Sequence, residues 1–172
     1  MALQFRPLLI AVGTLLCLIG IHEFGHIVAA WLSGGVVSDV VLFSLRPHVR
    51  IIGAATHAQE AFRAAAGSGA SLIACFLFVL AAPFEGAGSQ LAKDTAALFA
   101  FVELLGWSLS SLVRDSSASP DDAERFLAAS GLGALPVVAA CTLVLIAGIL
   151  TLVVCRSRGR SVPDVCPQSA RV

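Results

Sequence analysis

Charge is scarce in this sequence, and several residue types are rare or missing. Only 13% of the 172 residues are charged, methionine occurs once and tyrosine is absent. Because a soluble domain usually has close to twice that charged fraction, the composition argues against a soluble globular protein. The 11 basic residues equal the 11 acidic ones, and no basic stripe with interleaved aromatic residues is present. Nucleic acid is therefore not expected as a partner.

Cysteine spacing excludes a second group of functions. The five cysteines are odd in number and scattered, and none of them forms a C-x-x-C pair. This spacing predicts neither a disulfide framework nor a cysteine-based metal site. We therefore interpret the cysteines as small apolar side chains.

Apolar residues, by contrast, make up 58% of the chain and give a mean hydropathy of +0.91. A helix that crosses a bilayer needs about 20 consecutive, mostly apolar residues. Apolar runs of this kind occur at residues 8–32, 95–113 and 135–154. A shorter run at residues 70–82 reaches this length if its helix begins upstream, near residue 62. The sequence therefore predicts an all-α polytopic membrane protein with about four transmembrane helices, and the lipid bilayer as a partner.

Two short elements are predicted between the first and second spans. β-Branched runs at residues 36–45 and 48–52 flank a proline break and predict a small β-hairpin after the first span. A short amphipathic helix at residues 56–66 then leads through Gly67 and Gly69 into the second span.

A further short helix is predicted after the third span, at residues 120–130. Ser119 is expected to be its N-cap, and Pro120 fits the first helical position.

The segment most informative about function is His22-Glu23-Phe24-Gly25-His26, which lies inside the first span. Residues four apart on an α-helix share a face, so His22 and His26 can bind one zinc ion. Glu23 lies beside that face, where it can take a proton from a metal-activated water and pass it to a leaving amine. Each ionisable group deep in a span costs about 2.5–3.5 kcal/mol, so this cluster needs a compensating function such as metal binding.

A zinc hydrolase needs a third protein ligand and one open position for water. Two interpretations stay open for Asp121 and Asp122, which are either ligands or acidic residues in the first turn of a helix. Glu103 lies in an otherwise apolar stretch and is expected to face the bundle interior, near the metal or paired with an arginine. The remaining candidates, for which a loop or turn position is the simpler interpretation, are His48, His57 and Glu85.

A His-Glu-Phe-Gly-His pentad within an N-terminal span resembles the site-2 protease family of intramembrane zinc metalloproteases, and the resemblance extends to about residue 126. In that family a second span begins with Gly-Pro-x-x-Asn, whose asparagine is thought to help hold the substrate or transition state. The stretch Gly67-Ser68-Gly69-Ala70-Ser71 retains the first glycine and has serines at the proline and asparagine positions. The resemblance implies that Gly67 and Ser71 contribute to substrate binding.

The family's third ligand is the aspartate of a Pro-x-Asp-Gly-Gly-Arg pattern. Residues 120–125 match this pattern at the proline, the aspartate and the arginine, but they lack both glycines. The register implies Asp122 as the third zinc ligand, with Asp121 and Glu103 as reserves. Family members often place strands beside the active site that can hold an unwound substrate by edge pairing, and residues 36–52 would fill that place.

The resulting hypothesis is a zinc-dependent intramembrane endopeptidase that cleaves membrane-spanning or membrane-adjacent segments of other proteins, as in regulated intramembrane proteolysis. Zn²⁺ is the expected cofactor, with His22, His26 and Asp122 as its ligands and Glu23 as the general base. The partner is then a membrane protein substrate.

Two other functions stay open. One is a non-catalytic metal-binding membrane protein of the same fold, and the other is a metal transporter or sensor that uses the same histidines as transient ligands. Residues 1–155 are expected to form one membrane-embedded metalloprotease-like domain, and residues 156–172 a flexible basic C-terminal tail. The short, alanine-rich chain favours a multi-pass protein of a bacterial cell membrane.

Overall fold

The computed structural model describes residues 5–42, 44, 47–81, 86–113 and 120–159. These residues form five α-helices and one two-stranded antiparallel sheet. In chain order the elements are α1 (Phe5–Leu32), β1 (Val36–Val41), β2 (His48–Ile52), α2 (His57–Ala81), α3 (Ala87–Leu112), α4 (Asp122–Ser130) and α5 (Ala134–Gly159).

Four of these helices are long and apolar enough to cross a membrane, namely α1, α2, α3 and the segment Ala134–Val154 of α5. Their outward faces carry large apolar side chains such as Leu9, Leu77 and Leu143, each more than 60% exposed. Such surfaces are unfavourable in water and suit the hydrocarbon core of a bilayer. The protein is therefore an all-α, multi-pass membrane protein with one small β-hairpin after its first helix, as the sequence predicts.

The second span differs from its prediction, because α2 is one continuous helix. The sequence predicts a short amphipathic helix that ends before Gly67 and a span that starts after Gly69. The helix instead runs from His57 to Ala81 through both glycines. Each helical glycine costs about 1 kcal/mol relative to alanine, but tertiary packing along this helix outweighs that intrinsic cost.

The ends of two other elements also differ from their predictions. α3 begins at Ala87 rather than near residue 95, after Gly86 in a positive-φ conformation (φ 91°). α5 continues to Gly159, past the predicted boundary at residue 155 between domain and tail, while residues 160–172 lie outside the described part of the chain.

The short helix α4 has a different N-cap from the predicted one. Asp121 is the cap: its carboxylate accepts a hydrogen bond from the Glu124 backbone N–H, and the Glu124 carboxylate accepts one from the Asp121 N–H. This reciprocal pair is a capping box, which satisfies two donors that a helix start otherwise leaves unpaired. The predicted cap, Ser119, lies outside the described residues.

The β-hairpin and α4 lie at the same end of the bundle. Consecutive spanning helices run in opposite directions, so the α1–α2 connection, which holds the hairpin, and the α3–α5 connection, which holds α4, meet at one end. The hairpin contacts α1, and α4 packs chiefly against α2. In the hairpin, Val36 pairs with Ile52 and Val41 with His48, with a register shift between Val37 and Asp39.

Close packing of α1 on α2 depends on Gly25. A Cβ atom added at Gly25 would contact the Ala66 carbonyl oxygen and would lie only 2.8 Å from the Ala70 Cβ. The two backbones can therefore approach each other only because this position has no side chain.

We expect Gly25→Ala to lower the free energy of unfolding by about 1–3 kcal/mol, because the added methyl overpacks the α1–α2 contact. Thermal unfolding of the purified protein in detergent measures the effect. Gly20→Ala on the same helix is the control, because an added Cβ there meets nothing within 4 Å. Equal melting temperatures for the two variants would contradict the packing argument.

Candidate metal centre

Two histidines of α1 form the first half of the candidate site. His22 and His26 lie one helical turn apart, and their ring centroids are separated by 5.0 Å. Their Nε2 atoms face each other at 3.2 Å. The pairing follows from the i, i+4 spacing, which places both side chains on the same face of the helix.

The short helix α4 brings a carboxylate to this pair. Asp122 Oδ2 lies 3.0 Å from His26 Nε2 and 3.4 Å from His22 Nε2. The capping box decides which aspartate arrives there, since Asp121 caps the helix and Asp122, the next residue, turns toward α1. The structure therefore brings Asp122 to the histidines and commits Asp121 to the cap, while the role of Asp122 as a ligand stays a prediction.

The other candidates for the third ligand lie elsewhere. Glu103 contacts His22 on the opposite side of the ring, with Oε1 at 3.0 Å from Nδ1. His48 is on β2, in the wall of the neighbouring cavity, and His57 is the first residue of α2. Glu85 lies outside the described residues. In the described part of the chain, the group with metal-site geometry is formed by His22, His26 and Asp122.

The hydrogen bonds of each ring determine which nitrogen faces the aspartate with a lone pair. His26 Nδ1 lies 2.8 Å from the Arg63 carbonyl oxygen, which can only accept, so this nitrogen carries a proton. His22 Nδ1 donates in the same way to the Glu103 carboxylate. In the neutral rings both Nε2 atoms are therefore unprotonated. Their lone pairs converge with a carboxylate oxygen on one point, an arrangement that only extra protons or a cation can stabilise.

The three atoms lie close to the spacing of ligands around a zinc ion, with two of their separations shorter. In a tetrahedral zinc site with bonds of about 2.0–2.2 Å, ligand atoms lie about 3.3–3.5 Å from one another. The distances among the two Nε2 atoms and Asp122 Oδ2 are 3.0, 3.2 and 3.4 Å. Two imidazole nitrogens and one carboxylate oxygen are also ligands that zinc commonly takes in hydrolytic sites. The donor set is chemically suited to zinc, and zinc as the cofactor stays a prediction.

The carboxyl group of Asp122 is in the form that binds a cation. Burial alone would raise its pKa, but hydrogen bonds from Nε2 of His22 and His26, which form when the rings are protonated and no cation is bound, outweigh that effect and hold the pKa of Asp122 well below its usual value. The group is therefore ionised at neutral pH.

Gly67 creates the space in which the histidines lie. A Cβ atom added there would contact the His26 Nε2 atom and would lie 2.7 Å from the His22 Nε2 atom. Gly67 thus sits directly against the candidate metal position, because α2 passes over both rings. The predicted contact of Gly67 with substrate stays a prediction, but its packing role is evident from this geometry.

Ser71 has a different environment from the one that the sequence suggests. Its side chain is fully buried, and its hydroxyl donates to Glu103 Oε2 at 3.0 Å and contacts the Ser68 carbonyl oxygen at 3.1 Å. It is not among the residues that line the cavity beside the histidines. Ser71 therefore contacts Glu103, and its predicted role in substrate binding stays a prediction.

Glu23 is placed next to the three ligand candidates with spare hydrogen-bonding capacity. The residue is 5% exposed, and its Oε2 atom has no hydrogen-bond partner among the described residues. A buried polar atom without a partner is costly and calls for an explanation such as a catalytic role. Glu23 lies together with His22 and His26 in the wall of a cavity of about 1290 Å³, which β2 and the first turn of α4 also line.

The polar contacts that hold α4 in place were not foreseen from the sequence. Arg125 donates to Glu60 of α2 at 2.5 Å and lies 3.8 Å from Asp122. Glu60 in turn lies 3.8 Å from the buried Arg63, whose carbonyl holds His26. The i, i+3 spacing of Glu60 and Arg63 was the available signal, since opposite charges at that spacing face each other on a helix.

Comparison with known proteins finds no family model, no curated protein and no solved structure that matches this chain. The fold and the cluster therefore define a class of protein only: a multi-pass membrane protein with a candidate metal centre inside its helical bundle. The resemblance to site-2 proteases stays a prediction.

We expect Gly67→Ala to lower zinc affinity at least tenfold, because the added methyl occupies the space of the two Nε2 atoms. Competition with a chelating indicator on the purified protein measures the affinity. Gly69→Ala, on the same helix, is the matched control, because an added Cβ there meets nothing within 4 Å. An unchanged affinity in a folded Gly67→Ala protein would show that the metal does not bind beside this glycine.

Proposed function

We propose that the protein is a zinc-dependent intramembrane endopeptidase. The observation that carries the proposal is a juxtaposition inside the bundle: three convergent ligand atoms from His22, His26 and Asp122 lie beside the buried carboxylate of Glu23, whose Oε2 atom has no hydrogen-bond partner among the described residues. A site with metal ligands alone has no need of a neighbouring acid–base group. The combination is typical of hydrolytic zinc sites.

In the proposed reaction, the metal and the side chains of the protein have different roles. A zinc ion held by His22, His26 and Asp122 supplies Lewis-acid polarisation and the activation of water at neutral pH. Glu23 acts as the general base, because its free oxygen can take a proton from the attacking water and then return it to the leaving amine. The Arg63 carbonyl holds the His26 ring in the tautomer that directs its Nε2 atom toward the metal.

The position of the site supports a substrate within or beside the membrane. His22 lies ten residues before the end of α1, about 15 Å along the helix axis, and therefore within the apolar part of the span. The cavity beside it is bounded by β2, whose partner strand covers only one of its edges. The other edge of β2 can pair with an extended peptide, which would present a scissile bond to the site.

The resemblance to site-2 proteases adds independent support, because it selected Asp122 through a motif register and the structure brings that residue to the histidines. The proposal includes a membrane protein substrate and regulated intramembrane proteolysis as the process. A bacterial cell membrane is proposed as the location, on the basis of the short, alanine-rich chain.

The alternative functions are a metal transporter or sensor and a non-catalytic metal-binding protein. A transport path needs successive ligand groups along the spans, and the described residues contain one such group. A purely structural site does not explain a buried glutamate with a free oxygen. Both observations favour the peptidase.

We expect Glu23→Gln to lower the rate of cleavage of a model membrane-spanning substrate at least 100-fold, because the amide cannot accept the proton. The measurement is product formation by purified protein in detergent or liposomes. Zinc content, measured in parallel, should stay stoichiometric, since Glu23 is not a ligand in this proposal. Equal cleavage by wild type and Glu23→Gln would refute the peptidase mechanism, and zinc transport that is unaffected by Glu23→Gln would favour the transporter.

We expect Asp122→Asn to lose zinc affinity by 10-fold or more, because the neutral amide removes the one anionic ligand. Asp121→Asn is the matched control: it removes the adjacent carboxylate, yet asparagine is an equally good N-cap and preserves the start of α4. Metal analysis of the purified variants makes the comparison. Similar losses in both variants would show that Asp122 is not the ligand.

A further inference from the structure

A polar network behind His22 has no part in the proposed reaction so far. It consists of Glu103 and Trp107 on α3 and Ser68 and Ser71 on α2. The Trp107 indole N–H donates to Ser68 Oγ at 2.7 Å, and Ser68 Oγ donates to Glu103 Oε1 at 2.7 Å. Such a chain of hydrogen bonds across two transmembrane helices is costly to build unless every member is satisfied.

The carboxylate of Glu103 is the centre of this network. Its Oε1 atom accepts hydrogen bonds from Ser68 Oγ and from His22 Nδ1, the latter at 3.0 Å, and its Oε2 atom accepts one from Ser71 Oγ at 3.0 Å. Ser68 and Ser71 are buried, and the Glu103 side chain is 9% exposed. Both serines point their hydroxyl groups at the same acid, so the carboxylate is held in a fixed orientation.

We propose that Glu103 is a positioning residue that sets the tautomer and orientation of His22 through Nδ1, with Ser68, Ser71 and Trp107 holding Glu103 in place. The inference rests on the proposed zinc site, and it assigns Glu103 a role other than that of a third ligand. Glu103 cannot ligate in this arrangement, because it lies on the Nδ1 side of the ring and the candidate metal position lies on the Nε2 side.

Charge balance gives an independent reason for a carboxylate at this position. Asp122 and Glu103 place two negative charges on opposite sides of His22, within a bundle whose surroundings are apolar. A divalent cation between the histidines offsets those two charges while both imidazole rings stay uncharged. A carboxylate bound to the outer nitrogen of a metal-binding histidine also makes the ring a stronger ligand, and its loss typically lowers metal affinity 10- to 100-fold.

The test is zinc affinity of the purified protein in detergent, measured by competition with a chelating indicator, for wild type and Glu103→Gln. We expect Glu103→Gln to bind zinc about 10- to 100-fold more weakly. Asp39→Asn, which removes an exposed carboxylate from β1, should change the affinity less than twofold. A second readout is the visible spectrum of the Co²⁺-substituted protein, which should change in Glu103→Gln and stay the same in Asp39→Asn, because the spectrum reports the geometry around the metal.

The serine variants show whether the network acts through Glu103. Ser68→Ala should weaken zinc binding by a smaller factor, about two- to fivefold, because it acts on Glu103 rather than directly on His22. Ser108→Ala removes a hydroxyl from α3 that donates to the Leu104 carbonyl and has no contact with Glu103 among the described residues, so it should have no effect. In a Glu103→Gln background, Ser68→Ala should cause little further loss, since coupled residues are not additive.

The outcomes separate this inference from the proposed function. If wild type binds stoichiometric zinc, either of two results overturns the positioning role and leaves the peptidase proposal intact. One is a folded Glu103→Gln protein whose zinc affinity is within twofold of wild type, and the other is additive losses of affinity in the double variant. No zinc binding by wild type overturns both. Weaker binding in Glu103→Gln with non-additive losses supports the inference, whether or not the substrate in hand is cleaved.

Discussion

The close approach of α1 and α2 is the constraint on which the rest of the structure depends. Gly25 on one helix and Gly67 on the other each lack a side chain where the partner helix makes its nearest contact. Without both glycines, the Arg63 carbonyl could not reach His26, and α2 could not pass over the two imidazole rings. One packing contact between two spans thus decides whether the histidine pair can point at a common ligand.

Burial gives this site its chemical character. Ionisable residues inside a span are costly, and three of them here have partners that explain their presence: His26 a backbone carbonyl, His22 a carboxylate, and Glu103 two serine hydroxyls and the His22 ring. Glu23 differs because one of its oxygens lacks a partner among the described residues. In a low-dielectric surrounding such a group interacts strongly with any charge that develops beside it.

Local patterns predicted much of this architecture. Hydropathy located the four spans, β-branched runs located the hairpin, and the i, i+4 spacing placed His22 and His26 on one face. The continuity of α2 could not be predicted, because intrinsic propensity at Gly67 and Gly69 favours a break and only contact with α1 overrides it. Asp121 and Asp122 could not be separated by residue type either, since the distinction depends on which of them caps α4.

The proposed role of Glu103 could not be predicted from the sequence. Its position in an apolar stretch predicted an inward orientation, but the choice between the two nitrogens of His22 depends on the tilt of α3 against α1 and α2. The contribution of Ser71 was assigned to substrate by analogy with an asparagine, whereas its hydroxyl faces Glu103. Partners that lie more than 30 residues apart in sequence, as in both of these contacts, leave no periodic signal in a single chain.

The candidate metal ligands come from two helices of very different length, and this difference affects how the protein assembles. The histidines come from a long membrane helix, while the aspartate comes from α4, a nine-residue helix. A helix of that length has little stability alone, and its docking depends on the Arg125–Glu60 ion pair and the apolar contact of Leu127 with Leu104 and Val137. A metal ion bound by residues of both α1 and α4 would hold α4 against the membrane-spanning helices. Ion occupancy and the docked state of α4 would then rise and fall together, so the site would be completed only after the membrane helices have assembled.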